Sequence, residues 1–275
     1  MFLVLFWLAM LSLSFSLIVL VANFFLGLSP QRLASTDWAG YVVVSDYVNP
    51  QPTIAGVSGS WVVPTVTAFS NDRFSAAWIG IGGQVDFDTT LIQVGTEHDS
   101  VDGEAVYSAW YELLPNLSVN IASMTINPGD RIAASITLTD SIANKWSVEM
   151  IDITTHNRFN EFFFYNSSKL SAEWIVERPS INNSLSLLAD FGTITFTNTT
   201  AINNVTTGSI NELDFASITM YNRQNIQLVS VSSLTSNGDS FTVKYLDNSS
   251  MSTQFDKLFE SICTVSTQKK EKGAV

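Results

Sequence analysis

From residue 36 onward the hydrophobic pattern of this chain repeats every two residues, and that alone excludes most helical folds. Ile132, Ala134, Ile136 and Leu138 alternate with Arg131, Ala133, Ser135 and Thr137, as in a strand with one buried face. Gly192, Ile194 and Phe196 alternate with Thr193, Thr195 and Thr197 in the same way. Further strands are expected at Trp38–Val44, Gly56–Val63, Ala76–Ile81, Thr90–Val94, Ala105–Leu113, Trp146–Ile153, Ala172–Glu177, Gln227–Ser232 and Phe241–Leu246. Turn sequences separate them, among them Asp102-Gly103, Pro128-Gly129-Asp130 and Asn237-Gly238-Asp239,. The only amphipathic helix suggested in this part lies near Phe255–Cys263. Many short strands in 275 residues predict an all-β, antiparallel sandwich or jelly roll.

The ends differ from this body. Met1–Leu28 carries no charge and is dominated by Leu, Phe, Val and Ile. It is longer than a signal-peptide core of about 7–15 residues and long enough to cross an apolar layer of roughly 30 Å. A hydrophobic helix serving as signal peptide or membrane anchor is expected, and either sends the rest of the chain across a membrane. Six Asn-x-Ser/Thr sites, at Asn116, Asn166, Asn182, Asn198, Asn204 and Asn248, agree with export to an extracellular or cell-surface location. The expected organisation is a leader at 1–28, one β domain at 36–250 and a solvated tail at 251–275. Cys263 is the only cysteine, so no intramolecular disulfide forms.

Charge limits the partners. Twenty-five acidic residues against 13 basic ones give a net charge of -12, which repels nucleic acid and anionic lipid. Attachment to a membrane is expected only through residues 1–28. No phosphate-binding glycine loop, HExxH or GxSxG motif is present, so no cofactor, metal or serine nucleophile is implied. Glu97-His98-Asp99 precedes the Asp102-Gly103 turn and reads as a solvated loop.

What remains is polar groups set in apolar strands. Gln93 lies within Leu91-Ile92-Gln93-Val94-Gly95, where an unpaired amide costs about 1–3 kcal/mol. Period two places Glu173, Ile175 and Glu177 on one strand face, and Ser108, Trp110 and Glu112 on another,. An aromatic with a carboxylate on one face, repeated in two strands, fits a groove for a polar polymer. A hairpin rim with solvent-facing glutamates fits the same pattern.

These segments resemble the glutamic peptidases, or eqolisins. Asp37-Trp38-Ala39-Gly40, Ala77-Trp78-Ile79-Gly80-Ile81-Gly82-Gly83, Leu91-Ile92-Gln93-Val94-Gly95, Ala109-Trp110-Tyr111-Glu112, Ala172-Glu173-Trp174-Ile175-Val176-Glu177 and Ala189-Asp190-Phe191-Gly192 stand in the family's order. The resemblance implies an acid endopeptidase, monomeric and acting on polypeptides, with Gln93 and Glu177 as the catalytic pair. Glu177 would activate a water and Gln93 would orient it and bind the oxyanion. Trp78, Trp110, Glu112 and Glu173 would support the site or bind substrate. Three positions depart from the family pattern: Gly82 and Ser108 stand where relatives carry aspartate, and Leu114 where they carry tyrosine. A lectin-like glycoside hydrolase using Glu112 and Glu177, or a carbohydrate- or surface-binding module without activity, are the rival readings.

Overall fold

The computed structural model describes residues 31–247 except 86, 182–183 and 205. The apolar segment 1–28, the helix suggested at 255–263, Cys263 and the tail at 251–275 lie outside the described residues. Eighteen strands follow in chain order. The first nine are β1 (Gln31–Ser35), β2 (Trp38–Val44), β3 (Ile54–Val62), β4 (Ala76–Ile81), β5 (Ile92–Val101), β6 (Glu104–Leu113), β7 (Val119–Asn120), β8 (Arg131–Asp140) and β9 (Lys145–Asp152). The rest are β10 (Arg158–Phe164), β11 (Ser171–Glu177), β12 (Ser180–Ile181), β13 (Ser184–Leu185), β14 (Thr193–Asn203), β15 (Thr206–Ser209), β16 (Asp214–Met220), β17 (Val229–Val231) and β18 (Phe241–Tyr245). Among the described residues the only helical element is a three-residue 3-10 turn, Ile210–Glu212. No described helix is long and apolar enough to cross a membrane.

The strands form two large sheets and a small hairpin. The first sheet runs β1-β16-β2-β11-β4-β5-β6-β7, and the second β10-β9-β8-β3-β14-β18-β17 with β15 beside β14. Strand β8 shows the alternation directly: Ile132, Ala134 and Ile136 are buried while their neighbours are not. The two inner faces share one apolar cluster that joins Ile79, Val94 and Trp174 of the first sheet to Trp61, Ile136 and Phe196 of the second. Buried polar groups find partners across it. Trp174 Nε1 donates to the Ser58 carbonyl at 2.7 Å and Trp61 Nε1 to Thr96 Oγ1 at 2.9 Å.

Strands β2, β4 and β11 break the alternation, being buried on both faces almost throughout. A second cluster on the outer face of the first sheet explains this: Val42, Trp78, Leu91, Trp110, Ile175 and Ile218, with Trp38, Tyr47 and Leu114 at its edge. A strand covered on both sides reads as a continuous apolar run. Strand β5 is also longer than its apolar stretch predicts, since pairing with β6 continues from Ile92↔Leu113 to Val101↔Glu104. The solvated loop expected at Glu97-His98-Asp99 is therefore a mid-strand segment. His98 is completely buried, and its Nε2 lies 2.7 Å from Thr96 Oγ1. Thr96 Oγ1 also accepts from Trp61 Nε1, so the hydroxyl joins the buried imidazole to the inner-face core. Burial holds the His98 pKa down to about 3,.

Candidate active site

Residues directly opposite in an antiparallel ladder point to the same face, so the register alone assembles the site. One row across the first sheet reads Glu173, Gly80, Gln93, Glu112. The next reads Ile175, Trp78, Gly95, Trp110. The third reads Trp38, Glu177, Ala76, Glu97, Ser108. All six residues singled out in the sequence (Trp78, Gln93, Trp110, Glu112, Glu173 and Glu177) thus stand on one outer face, in three adjacent rows.

Trp78 occupies the middle row. Its ring is fully buried, and glycines on two sides make that possible. A Cβ on Gly80 would stand 2.8 Å from Trp78 Cζ3, and one on Gly95 would stand 2.5 Å from Trp78 Cβ. Trp38 meets the indole edge-on, with ring centroids 5.0 Å apart, a favoured aromatic geometry. Held in this way, Trp78 Nε1 donates to Glu177 Oε2 at 2.7 Å. The amide is anchored separately: Gln93 Nε2 donates to Glu112 Oε2 at 2.6 Å. Gln93 is only 4% exposed, yet its Oε1 has no partner among the described residues, and neither has Trp110 Nε1.

Electrostatics sets these carboxyls apart from surface ones. Burial pushes Glu177 from 4.5 up to about 7, Trp78's N–H opposes the shift, and the charges of Asp37 and Glu112 add to it. Burial also raises Glu112, with Gln93's donated bond pulling the other way. Glu173 is completely buried and lies well above its ordinary value for the same reason. The Ser171 hydroxyl is the one side chain that eases this shift, and no oxygen of Glu173 makes a close hydrogen bond among the described residues, which suits a buried neutral acid better than a group that meets substrate. Gln93 and Glu177 are not bonded to each other; Trp78 and Glu112 hold one each.

Sequence reasoning missed Glu97 as a member of this face. Period two from Gln93 through Gly95 reaches it, but the adjacent turn drew it into a loop. Ser108 Oγ donates to Glu97 Oε2 at 2.8 Å, so one family departure has a defined role here. At Gly82, another departure, Asp88 supplies a carboxylate nearby, accepting from Gly83 N at 3.0 Å, from Thr90 N at 2.9 Å and from Ser168 Oγ.

The structure is thus an all-β sandwich with Gln93, Glu112 and Glu177 on one outer face of its first sheet. Residues 36–245 match the model of the Peptidase A4 family. The chain belongs to that family. It is 30% identical to aspergillopepsin-2 of Aspergillus niger over 235 residues, covering 77% of this chain and 78% of that protein. With scytalidopepsin B of Scytalidium lignicola it shares 28% identity over 152 residues, about half of each chain (54% and 53%). The fold matches scytalido-glutamic peptidase bound to a transition state analog inhibitor, with TM-score 0.65 at 23% identity over 77% of this chain and 99% of that one. Aspergilloglutamic peptidase from Aspergillus niger aligns with TM-score 0.56 at 30% identity over 63% of this chain and 99% of that one.

Proposed function

We propose that the chain is a secreted endopeptidase that works in acid, cleaving polypeptides with Gln93, Glu177 and an activated water, without a covalent intermediate. The observation that carries this is the pair of hydrogen bonds fixing Gln93 to Glu112 and Glu177 to Trp78 on one face. Residues 36–250 form the catalytic domain, folded as a lectin-like jelly roll whose outer face is the groove. The protein acts as a monomer; residues 1–28 are its signal peptide or anchor and 251–275 its tail. Export has support from Asn116, Asn166, Asn198 and Asn204, the described acceptor sites, all exposed.

Each group has a defined task. Ionised Glu177 takes a proton from water as the water attacks the scissile carbonyl, then returns it to the leaving amine. A carboxyl raised toward 7 is mostly protonated in acid, so only its ionised minority acts as base there and activity climbs with pH toward that value,. Its raised proton affinity favours return of the proton to the leaving amine. Trp78's N–H favours the ionised form and fixes its orientation. An amide N carries two protons. One of Gln93's serves Glu112, and the other is available to the oxyanion of the tetrahedral intermediate, where a single donor is worth about 10²–10³ in rate. Glu112, engaged by Gln93, keeps that amide aimed and is not the free second acid a glycosidase needs. The test is hydrolysis of an unfolded protein between pH 3 and 7. The purified chain should cleave it and Glu177→Gln should not. Wild-type cleavage rates in Glu177→Gln would end the reading.

A further inference from the structure

On the outer face of the second sheet, ladder pairing sets Ser58 opposite Ser135 and Ser60 opposite Ala133. These four small side chains fill two adjacent rows of β3 and β8, and all are half-buried. Strand positions favour β-branched and aromatic residues, so four small ones together leave a trough. On β9 the same rows end at Glu149 and Ile151, and on the β14 side Asn198 lines the trough. Its volume is about 250 Å³, below the roughly 300–1,000 Å³ of pockets that enclose whole small molecules. It has room for one sugar ring.

Asn198 reaches the trough because β14 is bulged. Thr197 pairs with Ser60 and Thr200 with Ser58, so three steps along β14 match two along β3. A bulge of this kind bends the strand and re-aims a side chain. Asn198 sits at φ 53°, a left-handed conformation that asparagine tolerates better than most residues. It is exposed and opens the acceptor sequence Asn198-Thr199-Thr200,. Asn116, Asn166 and Asn204, the other described acceptor sites, do not line the trough. The trough itself suits a saccharide. Ser58, Ser60 and Ser135 offer three hydroxyls, and Glu149, paired with Arg158 at 2.6 Å, brings charged hydrogen-bonding groups to the rim. Ile151 presents an apolar edge to a ring's C–H face. No aromatic lines the trough, so a free sugar lacks a stacking platform, and a covalent bond to Asn198 is what keeps one in place.

We infer that Asn198 is an N-glycosylation site whose first sugar lies in this trough. The inference goes beyond the peptidase reading and rests only on its export part. In the linking step Asn198 Nδ2 bonds to C1 of a sugar carried on a polyprenyl phosphate. The C1–O bond breaks, the phosphate leaves with the electron pair, and one amide proton passes to a base of the transferring enzyme. Thr200 supplies the acceptor hydroxyl, and in the folded chain that hydroxyl lies 2.8 Å from Ser58 Oγ. Transfer therefore precedes the pairing of β14 with β3. The sugar then covers the small-residue floor of the second sheet, on the side of the sandwich away from Gln93 and Glu177.

The test separates attachment from seating. The full chain is exported from a host that N-glycosylates, digested, and its peptides weighed by mass spectrometry. The peptide holding Asn198 should carry sugar in most molecules, and in Thr200→Ala it should carry none. Recovery of that peptide unmodified from the exported chain would overturn the inference. Seating is read from the rate at which a peptide N-glycosidase frees the sugar from the folded protein. Ala133→Leu, which fills the trough and leaves the acceptor sequence intact, should raise that rate at least fivefold, and an unchanged rate would deny the seat. A second readout needs no change to the floor. Asn198→Gln should lower the Tm of the chain made in the glycosylating host and leave unchanged that of the chain made in a host without N-glycosylation. An equal loss in both hosts would mark Asn198 as a structural residue and remove the seated sugar. If residues 1–28 fail to export the chain, the export reading falls, and the same chain behind a proven signal peptide decides Asn198 by the same masses.

Discussion

Buried ionisable groups predict a stability maximum in acid for this fold, at a pH that follows from their shifts. Asp99 is pushed by burial from 3.8 to about 7, Glu177 from 4.5 to about 7, and Glu173 well above 4.5. His98 moves the other way, from 6.5 to about 3. A carboxyl raised in the folded state stabilises fully below its unfolded pKa, and that contribution is lost as pH rises through the folded value. A histidine lowered in the folded state contributes above 6.5, and that contribution is lost as pH falls toward 3. Between pH 4.5 and 6.5 these three carboxyls therefore hold up to three protons in the folded chain that they release in the unfolded one, and His98 lacks up to one. The net excess of two protons makes stability fall by at most about 2.7 kcal/mol per pH unit. Over two units that ceiling is about 5 kcal/mol, and the partial exposure of Glu177 reduces it to about half, still a large share of a typical 5–15 kcal/mol. Below about pH 4 the carboxyl contributions level off and His98 takes over, so stability falls again. Urea unfolding followed by tryptophan fluorescence from pH 3 to 7.5 should show a maximum near pH 4–4.5. Asp99→Asn should halve the slope on the neutral side. Stability that is flat or rising from pH 4.5 to 6.5 would refute this account.

Other consequences concern activity. Gln93→Ala should cut turnover by about two to three orders of magnitude with a smaller change in KM, as steady-state kinetics will show. Trp78→Phe keeps an aromatic ring, though a smaller one, and removes the N–H that favours ionised Glu177; the acid limb of kcat/KM should move to higher pH, and an unmoved limb would deny the bond its role. Gly80→Ala would set a Cβ 2.8 Å from Trp78 Cζ3, costing about 1–3 kcal/mol in thermal unfolding and activity beyond that share. Deleting residues 1–28 should leave the Tm of the β domain unchanged.

How much of this was legible in the sequence depends on which force placed each residue. Strand positions with one buried face announced themselves by alternation, as in β8, because water selects every second side chain. Strands β4 and β11 were legible as apolar runs, but the sheet face covering them was not, since Trp78, Ile175 and Ile218 meet only after distant strands pair. Strand β10 escaped notice because Arg158–Phe164 lies at a sheet edge, where the exposure of Phe162 and Phe164 breaks the pattern.

The site divides in the same way. Gln93 and Glu177 were visible as polar groups where apolar ones belong, and period two already grouped Glu112 with Trp110 and Ser108. The hydrogen bonds that give each its chemistry cross 19 positions in one case and 99 in the other, a separation that no local pattern carries. Burial is equally non-local. Nothing in Ala-Glu-Trp-Ile-Val-Glu states that Glu177 sits near 7 while its strand neighbour Glu173 is sealed beneath the floor. The difference arises because Glu177 ends its strand, partly exposed and bonded by Trp78's N–H, whereas Glu173 lies buried mid-strand between Val42 and Gly80. Two identical residues four positions apart thus differ because one reaches solvent and the other does not, and a direct test is their substitution by glutamine. Glu173→Gln should raise stability at neutral pH by removing a carboxyl that resists ionisation, and leave a measurable turnover. Glu177→Gln should do the first and abolish the second. Loss of turnover in both would mean that Glu173 takes part in the chemistry after all.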